Sequence, residues 1–433
     1  MKKILSAVLA LIMVFCLAAC NGGTPAGNDT GDNGDNGENA NADFKIGAIL
    51  VGDETEGYTL AHMDGIKAAA KTLGLTDDQI IWEYKVPEDA TAKDKADELA
   101  LKGCKVIFSN SYGHQDFMQQ AAEANPDVTF VAMTGDYAGL SGVDNLKNAF
   151  TSVYESRFVS GIVAGMKVKE LVEAEKLTEK NFDSDGNVKI GYVGAFPYAE
   201  VKSGYTAFFL GIKSVYEKVA MEVTYTNSWF DIEKEGAAAE QLMADGCVIL
   251  GQHADSTGAP AAVEAALKNG TVAYSVGYNI DMLDVAPTAA LTSASNNWAV
   301  YYTEAIGAAM KGEEIPTNWS EGYETGAVNI TALGESCAEG TKEATDKAIE
   351  DIKSGALKVF DTSAFTVGGE HLTEATVDLS YMDFSANPPA VVYPGEKVNA
   401  IKTEGEVSYF AESEFRAAPY FALDIDGIGE KFN

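Results

Sequence analysis

The chain has 433 residues, 31 Lys and Arg against 65 Asp and Glu, a formal net charge of −34 and a hydrophobic fraction of 46%. So large an acidic excess argues against nucleic acid and against direct adhesion to anionic lipid, which carry charge of the same sign. The length suffices for two domains with cores of their own. The five cysteines form neither a disulfide framework nor a zinc pattern.

The first element is MKKILSAVLALIMVFCLAAC, in which Lys2 and Lys3 precede an apolar run. It reads as a signal peptide over residues 1–20, because the run falls short of the about 20 residues that a membrane span needs. Its end, Leu-Ala-Ala-Cys, resembles the bacterial lipobox, in which the cysteine becomes the amino terminus and carries lipid. Cys20 is therefore the expected lipidation site, and the protein is expected on the extracytoplasmic face of the cell membrane. Residues 21–43 are Gly, Asn and Asp with almost nothing to bury, so ordering them would cost entropy without return. They read as a disordered tether.

From Phe44 onward, strand-like runs alternate with helical patterns: FKIGAILVG with GIKAAAKTLG, IIWEYKV with KADELALKG, CKVIFSNS with QDFMQQAAEAN, then VTFVAMTG. This alternation predicts a parallel sheet. After a helix over Ser156 to Leu171 the plan restarts at VKIGYVGAF and runs to VAYSVGYN. The unit GCKVIFSNSYGHQDFMQQAAE, Gly103 to Glu123, returns as GCVILGQHADSTGAPAAVEAA, Gly246 to Ala266, with Cys104 and Cys247 as small buried residues at matching places. Two α/β lobes of one plan follow. Parallel sheets present ligands beyond the carboxyl ends of their strands, so facing lobes make a cleft lined by SNSYGHQD and GQHADST.

An ordered set of stretches, GDETEGYTLAHMDG, NPDVTFVAMTG, SVYESRFVSGIVAG, GYVGAF, GQHADS, VGYNIDM and LTSASNNWAVYY, resembles the BMP (basic membrane protein) family of lipoproteins from about Phe44 to Phe360. That family supplies substrate-binding components of ABC importers for purine nucleosides and related compounds. The resemblance implies a type I periplasmic-binding-protein fold, α/β, with two Rossmann-like lobes joined by a three-strand hinge. It also implies an amino-proximal lobe of 44–151 plus 289–321 and a second lobe of 152–288 plus 322–370. Residues 371–433, rich in Tyr, Phe, Pro and Gly, read as a β-rich extension.

A purine offers a π-face and ring nitrogens at its edge, so its site needs aromatic faces and a few in-plane polar groups. The resemblance assigns stacking to Tyr58 and to Phe230, with Trp229 as the other choice; Phe196 follows a strand end in the second lobe. Asn110, Ser111, Tyr112 and Gly113 would form the first-lobe wall, with His114 a weaker member. His253 and Asp255 would supply donors and acceptors before a helix amino end. Many nucleoside-binding members carry an acidic residue where this chain has Tyr278-Asn279, with Asp281 two positions farther on. They also carry a lysine where Asn296 stands here. Losing both charges, with Trp298 close by, favours a nucleobase over a nucleoside.

No Gly-x-x-x-x-Gly-Lys-Ser/Thr loop, no complete Gly-x-Gly-x-x-Gly after the first strand and no His-Glu-x-x-His occurs, so neither an enzyme nor a cofactor is expected. The expected partners are a small purine-type ligand, an importer permease and the membrane through a lipid anchor. A nucleoside receptor, a sugar-binding protein and a surface sensor or adhesin remain the alternatives. Arg157 and Arg416 are the only arginines, which disfavours dense hydroxyl or carboxylate binding.

Overall fold

The computed structural model describes residues 43–383 and 388–431. The expected signal peptide, Cys20 and residues 21–42 of the expected tether lie outside the described residues. The first half alternates as β1 (Ile46–Ile49), α1 (Gly57–Thr72), β2 (Ile80–Glu83), α2 (Ala90–Leu101), β3 (Val106–Ser109), α3 (Gln115–Ala124), β4 (Thr129–Met133), α4 (Ala138–Ser141) and β5 (Leu146–Ala149). Then follow α5 (Val153–Glu173), β6 (Val188–Gly194), α6 (Ala199–Val215), β7 (Val219–Tyr225), α7 (Ile232–Ala244), β8 (Ile249–Gln252), α8 (Gly258–Lys268) and β9 (Tyr274–Tyr278). The next elements are β10 (Ala290–Asn296), α9 (Ala299–Lys311), β11 (Asn318–Trp319), β12 (Val328–Ile330) and α10 (Thr341–Lys353). Last come β13 (Thr376–Asp378), β14 (Tyr381–Asp383), β15 (Ala390–Tyr393), β16 (Lys397–Asn399), β17 (Ile401–Glu404), β18 (Val407–Phe410) and β19 (Ile428–Lys431).

The strands form a six-stranded sheet in the order β11-β5-β4-β3-β1-β2 and a seven-stranded sheet in the order β12-β10-β9-β8-β6-β7-β19. The first is wholly parallel, and the second is parallel except for the antiparallel β12. Strands such as β1 and β3 are buried along their whole length. That is why their sequences are continuous apolar runs rather than alternating ones: helices cover both faces of each sheet. Helix starts carry the expected side chains, with Asp89 accepting from Thr91 N at 2.8 Å for α2 and Asp231 from Lys234 N at 3.0 Å for α7.

Between the lobes the chain passes from β5 to α5, from β10 to α9, and from β11 to β12. Helix α9 packs on α1 in the first lobe through Trp298, Tyr301 and Tyr302. The first lobe does not hold all of residues 289–321, as the resemblance implies, because Ala290–Asn296 pairs in parallel with β9 of the second. The crossing falls after Asn296, because an apolar run announces a strand without naming its partner strand. Helices α5 and α6 touch through glycines. A Cβ on Gly161 would strike the Phe208 carbonyl oxygen, and one on Gly211 the Phe158 carbonyl oxygen, so backbone-to-backbone packing requires both.

Candidate functional site

The carboxyl ends of both sheets face one cavity of about 70 Å³. Its first-lobe wall comes from the loops after β1 (Val51, Glu56, Tyr58), β3 (Asn110, Ser111, Tyr112) and β4 (Thr134). The second-lobe wall holds Glu200 at the start of α6, Trp229 after β7, His253 and Asp255 after β8, and Tyr278 at the end of β9. The lobes are closely apposed, since a Cβ on Gly57 would lie 3.2 Å from Ile280 and 3.5 Å from the Asp255 carbonyl oxygen. Across the mouth, the rings of Tyr112 and Tyr198 have centroids 6.5 Å apart.

Local hydrogen bonds fix each wall. The Tyr58 hydroxyl donates to Asn110 O at 2.5 Å, and the Asn110 side chain accepts from Val51 N at 2.8 Å and donates to Thr59 Oγ1 at 3.1 Å. One side chain thus ties together the ends of β1 and β3. On the opposite wall Asn279 donates to Asp255 Oδ1 at 2.7 Å, and Asn296 donates to Asn279 Oδ1 at 2.9 Å. Thr134 and Asn279, each just past a strand end, both adopt φ of 63°. For a β-branched threonine this is strained backbone, of a kind that clusters at functional sites.

Charge is concentrated here. Burial, followed by the neighbouring charges of Glu56, Glu235 and Glu200, pushes the Asp255 carboxyl well above the usual carboxylate range, while Arg157 opposes the shift. Glu56 is raised chiefly by burial. Burial, aided by Arg157, brings His253 down to about 4 against the pull of Glu200, whose Oε1 lies 3.2 Å from His253 Nε2. His253 is therefore neutral near pH 7 and presents one donor and one acceptor. Arg157, itself buried, donates from Nη1 to Gln252 O at 2.6 Å and stands 3.6 Å from the Tyr278 ring centroid, a cation–π contact beneath the second-lobe wall. A protonated Asp255 would both donate and accept, so the walls combine aromatic faces with two-way hydrogen-bonding edges.

Seven of the expected positions, Tyr58, Asn110, Ser111, Tyr112, Trp229, His253 and Asp255, come together around this cavity. The others lie elsewhere. Gly113 donates its N–H to Glu88 Oε1 at 3.1 Å, and His114 is buried with Nε2 3.0 Å from Val86 O. Phe196 stands behind the wall, its ring centroid 5.1 Å from that of Trp229, and Phe230 is half-buried outside the lining. Asn279 and Asn296 support Asp255 from behind. Asp281 is exposed and accepts from Leu283 N at 2.8 Å, ordering its own turn.

Trp298 is 1% exposed and stacks on His62 at 4.4 Å inside the first-lobe core. Nearness in sequence to the crossing strand does not bring its ring into the cleft, because α9 turns back onto α1. Sequence reasoning missed Val51, Glu56, Thr134, Glu200 and Tyr278. Glu56 sits inside the quoted GDETEGY stretch, and Tyr278 was noticed only for the acid it replaces. Thr134 is the penultimate residue of the quoted NPDVTFVAMTG stretch, at a strand end, and nothing in the sequence marked Glu200.

Over residues 51–359 the chain matches the family described as "ABC transporter substrate-binding protein PnrA-like". The purine-binding protein of Brucella abortus is 30% identical over 346 residues, which cover 78% of this chain and 91% of that protein. The "Putative ABC transporter glucose-binding protein" of Haloferax volcanii is 30% identical over 314 residues, covering 71% and 72%. Among solved structures, an ABC transporter solute-binding protein from Aeropyrum pernix K1 superposes with a TM-score of 0.60 at 16% identity, covering 76% of this chain and 94% of that one. At that identity the likeness speaks for the fold. Residues beyond 359, including β13 to β19, lie outside the family match.

Proposed function

Because the chain belongs to the Bmp family of PnrA-like substrate-binding proteins of ABC transporters, we propose that its cleft captures a purine-type ligand, a nucleobase in preference to a nucleoside, by hinge closure. Proteins of this class act outside the cytoplasmic membrane, deliver a small molecule to a permease and perform no chemistry on it. The carrying observation is the cavity itself, where Tyr58, Tyr112, Trp229 and Tyr278 supply π-faces and Asn110, His253 and Asp255 supply polar edges from both lobes. A ligand touching both walls stabilises the closed form and shifts the population toward it.

The preference for a base rests on what is already engaged. Asn279 and Asn296, at the places the resemblance gives to ribose-holding charges, are hydrogen-bonded to Asp255, to each other and to Thr151 Oγ1 at 2.5 Å. Among the described residues no Lys or Arg lines the inner cavity. At about 70 Å³ the closed cavity is smaller than the roughly 300–1,000 Å³ usual for ligand sites, so admitting even a bicyclic ring requires the lobes to part. A sugar is the second reading, favoured by Glu56, Glu200 and Asp255 beside aromatic rings and by the Haloferax relative. We further propose that Cys20 carries lipid, which a Cys20→Ser variant would test by losing incorporation of labelled fatty acid.

A thermal-shift screen of the body from residue 43 decides between readings, since a ligand specific for the folded state raises its stability. Purine bases are expected to shift melting more than their nucleosides. A larger shift with nucleosides would overturn the base preference, and a shift with glucose but not with purines would replace the purine reading.

A further inference from the structure

Beside the inner cavity, and sharing Tyr112, Thr134 and Glu200 with it, lies a groove of about 1,070 Å³ whose outer wall is the C-terminal segment. That segment starts and ends on the second lobe. Ala375 joins the second-lobe core and Val377 and Leu379 pack against it, while on the return Ala400 and Ile401 rejoin the same core. Between these points it reaches the other lobe, where Tyr381 of β14 and Tyr393 of β15 pack against the first-lobe core. Their rings lie 4.4 and 5.1 Å from that of Tyr137. The Tyr381 hydroxyl donates to Asp116 Oδ1 at 3.3 Å, and Gln119 Nε2 donates to the Tyr393 hydroxyl at 2.7 Å.

A second attachment lies deeper. Arg416 Nη1 is 3.4 Å from Asp136 Oδ2, and Ala417 N donates to Asn318 Oδ1 at 3.3 Å. The segment's hold on the second lobe is firmer. Phe360 and Phe421 stack at 4.4 Å, and β19 extends the second sheet beside β7. The strength is thus unequal: ladder pairing and core burial on one side, tyrosine contacts and one ion pair on the other.

We propose that the paired strands β13–β16 and β14–β15 form a strap across the mouth of the cleft. The strap stays with the second lobe and must release Tyr137, Asp116 and Gln119 of the first lobe before the lobes separate and ligand passes. The inference rests on the hinge-closing reading of the cleft and goes beyond it, because the strap is no part of the family match. Breaking the weaker attachment lowers the barrier to opening, so it should speed ligand association and dissociation alike and widen the ligand-free ensemble.

The test compares the full chain with a Tyr381→Ala/Tyr393→Ala variant, using small-angle scattering without ligand and stopped-flow association with adenine and hypoxanthine. The expected result is a larger radius of gyration and an association rate raised on the order of tenfold. An unchanged radius together with an unchanged rate would overturn the strap. Should the double variant fail to fold, Gln119→Ala on α3 removes the hydrogen bond to the Tyr393 hydroxyl, together with the Gln119–Glu123 bond within the helix, and is expected to move both readouts in the same direction, with no movement overturning the proposal. If neither purine binds any form, the purine reading fails while the ligand-free scattering still decides the strap.

Discussion

Asp255→Asn separates the binding role of the cleft carboxyl from its structural cost. Asn279 already occupies Oδ1 at 2.7 Å, which leaves the other oxygen for a ligand donor in the cavity that Asp255 lines. With Asp255 held neutral by its raised pKa, a hydrogen bond to it contributes about 0.5–1.5 kcal/mol, so its loss should raise Kd by roughly 2- to 13-fold. Stability should move the other way. The folded-state pKa of Asp255 is raised by burial and by Glu56, Glu235 and Glu200, so its contribution is intact below the unfolded value near 3.8 and is lost as pH rises toward the folded value. The amide escapes this loss, and the variant should be the more stable protein at pH 8 and no more stable at pH 4. Calorimetry with adenine and urea unfolding at both pH values would check the pair of outcomes. Unchanged affinity, or a variant less stable at pH 8, would refute the reasoning.

Trp298→Ala removes a fully buried ring stacked on His62; it should cost about 3–5 kcal/mol in urea unfolding while the folded fraction keeps its ligand affinity, as titration against active-site concentration would show. Glu412, 6% exposed, has an Oε1 without a partner among the described residues, and burial pushes its pKa up to about 7. The raised value means that stability is intact below about 4.5 and is lost as pH climbs through about 7. Glu412→Gln should therefore match the wild type near pH 4.5 and exceed it by about 3 kcal/mol at pH 8, read from urea midpoints across that range.

The lobes were legible because their cause is local. Short apolar runs such as KVIFS and CVILG, bounded by turn residues, read as buried strands, and the polar turns after them mark strand ends, which is where Asn110, Ser111, His253 and Asp255 stand. What escaped is set by partners distant in the chain. β10 pairs with β9 rather than with the first sheet, and no pattern within LTSASN says so. Trp298 looked like a cleft aromatic because it follows that strand, yet the direction of α9 buries it against α1.

The same distinction explains the polar residues. Asn279 and Asn296 read as ligand groups because they replace family charges, but a side-chain amide at a strand end can serve its neighbours as readily as a ligand. Here the two amides form a relay from Thr151 at the first crossing to Asp255 in the cavity. Thr151 and Asn296 flank the places where the chain changes lobes, and Asp255 faces Glu56 of the opposite lobe, which helps to raise its pKa. Closing the lobes therefore brings two carboxyls together and favours a proton or a ligand N–H between them. The hinge and the cavity are joined by hydrogen bonds that a change of lobe angle would strain. A ligand donor at Asp255 would stabilise closure both by contact and by relieving like-charge repulsion. This coupling is invisible to any reading that assigns residues one at a time.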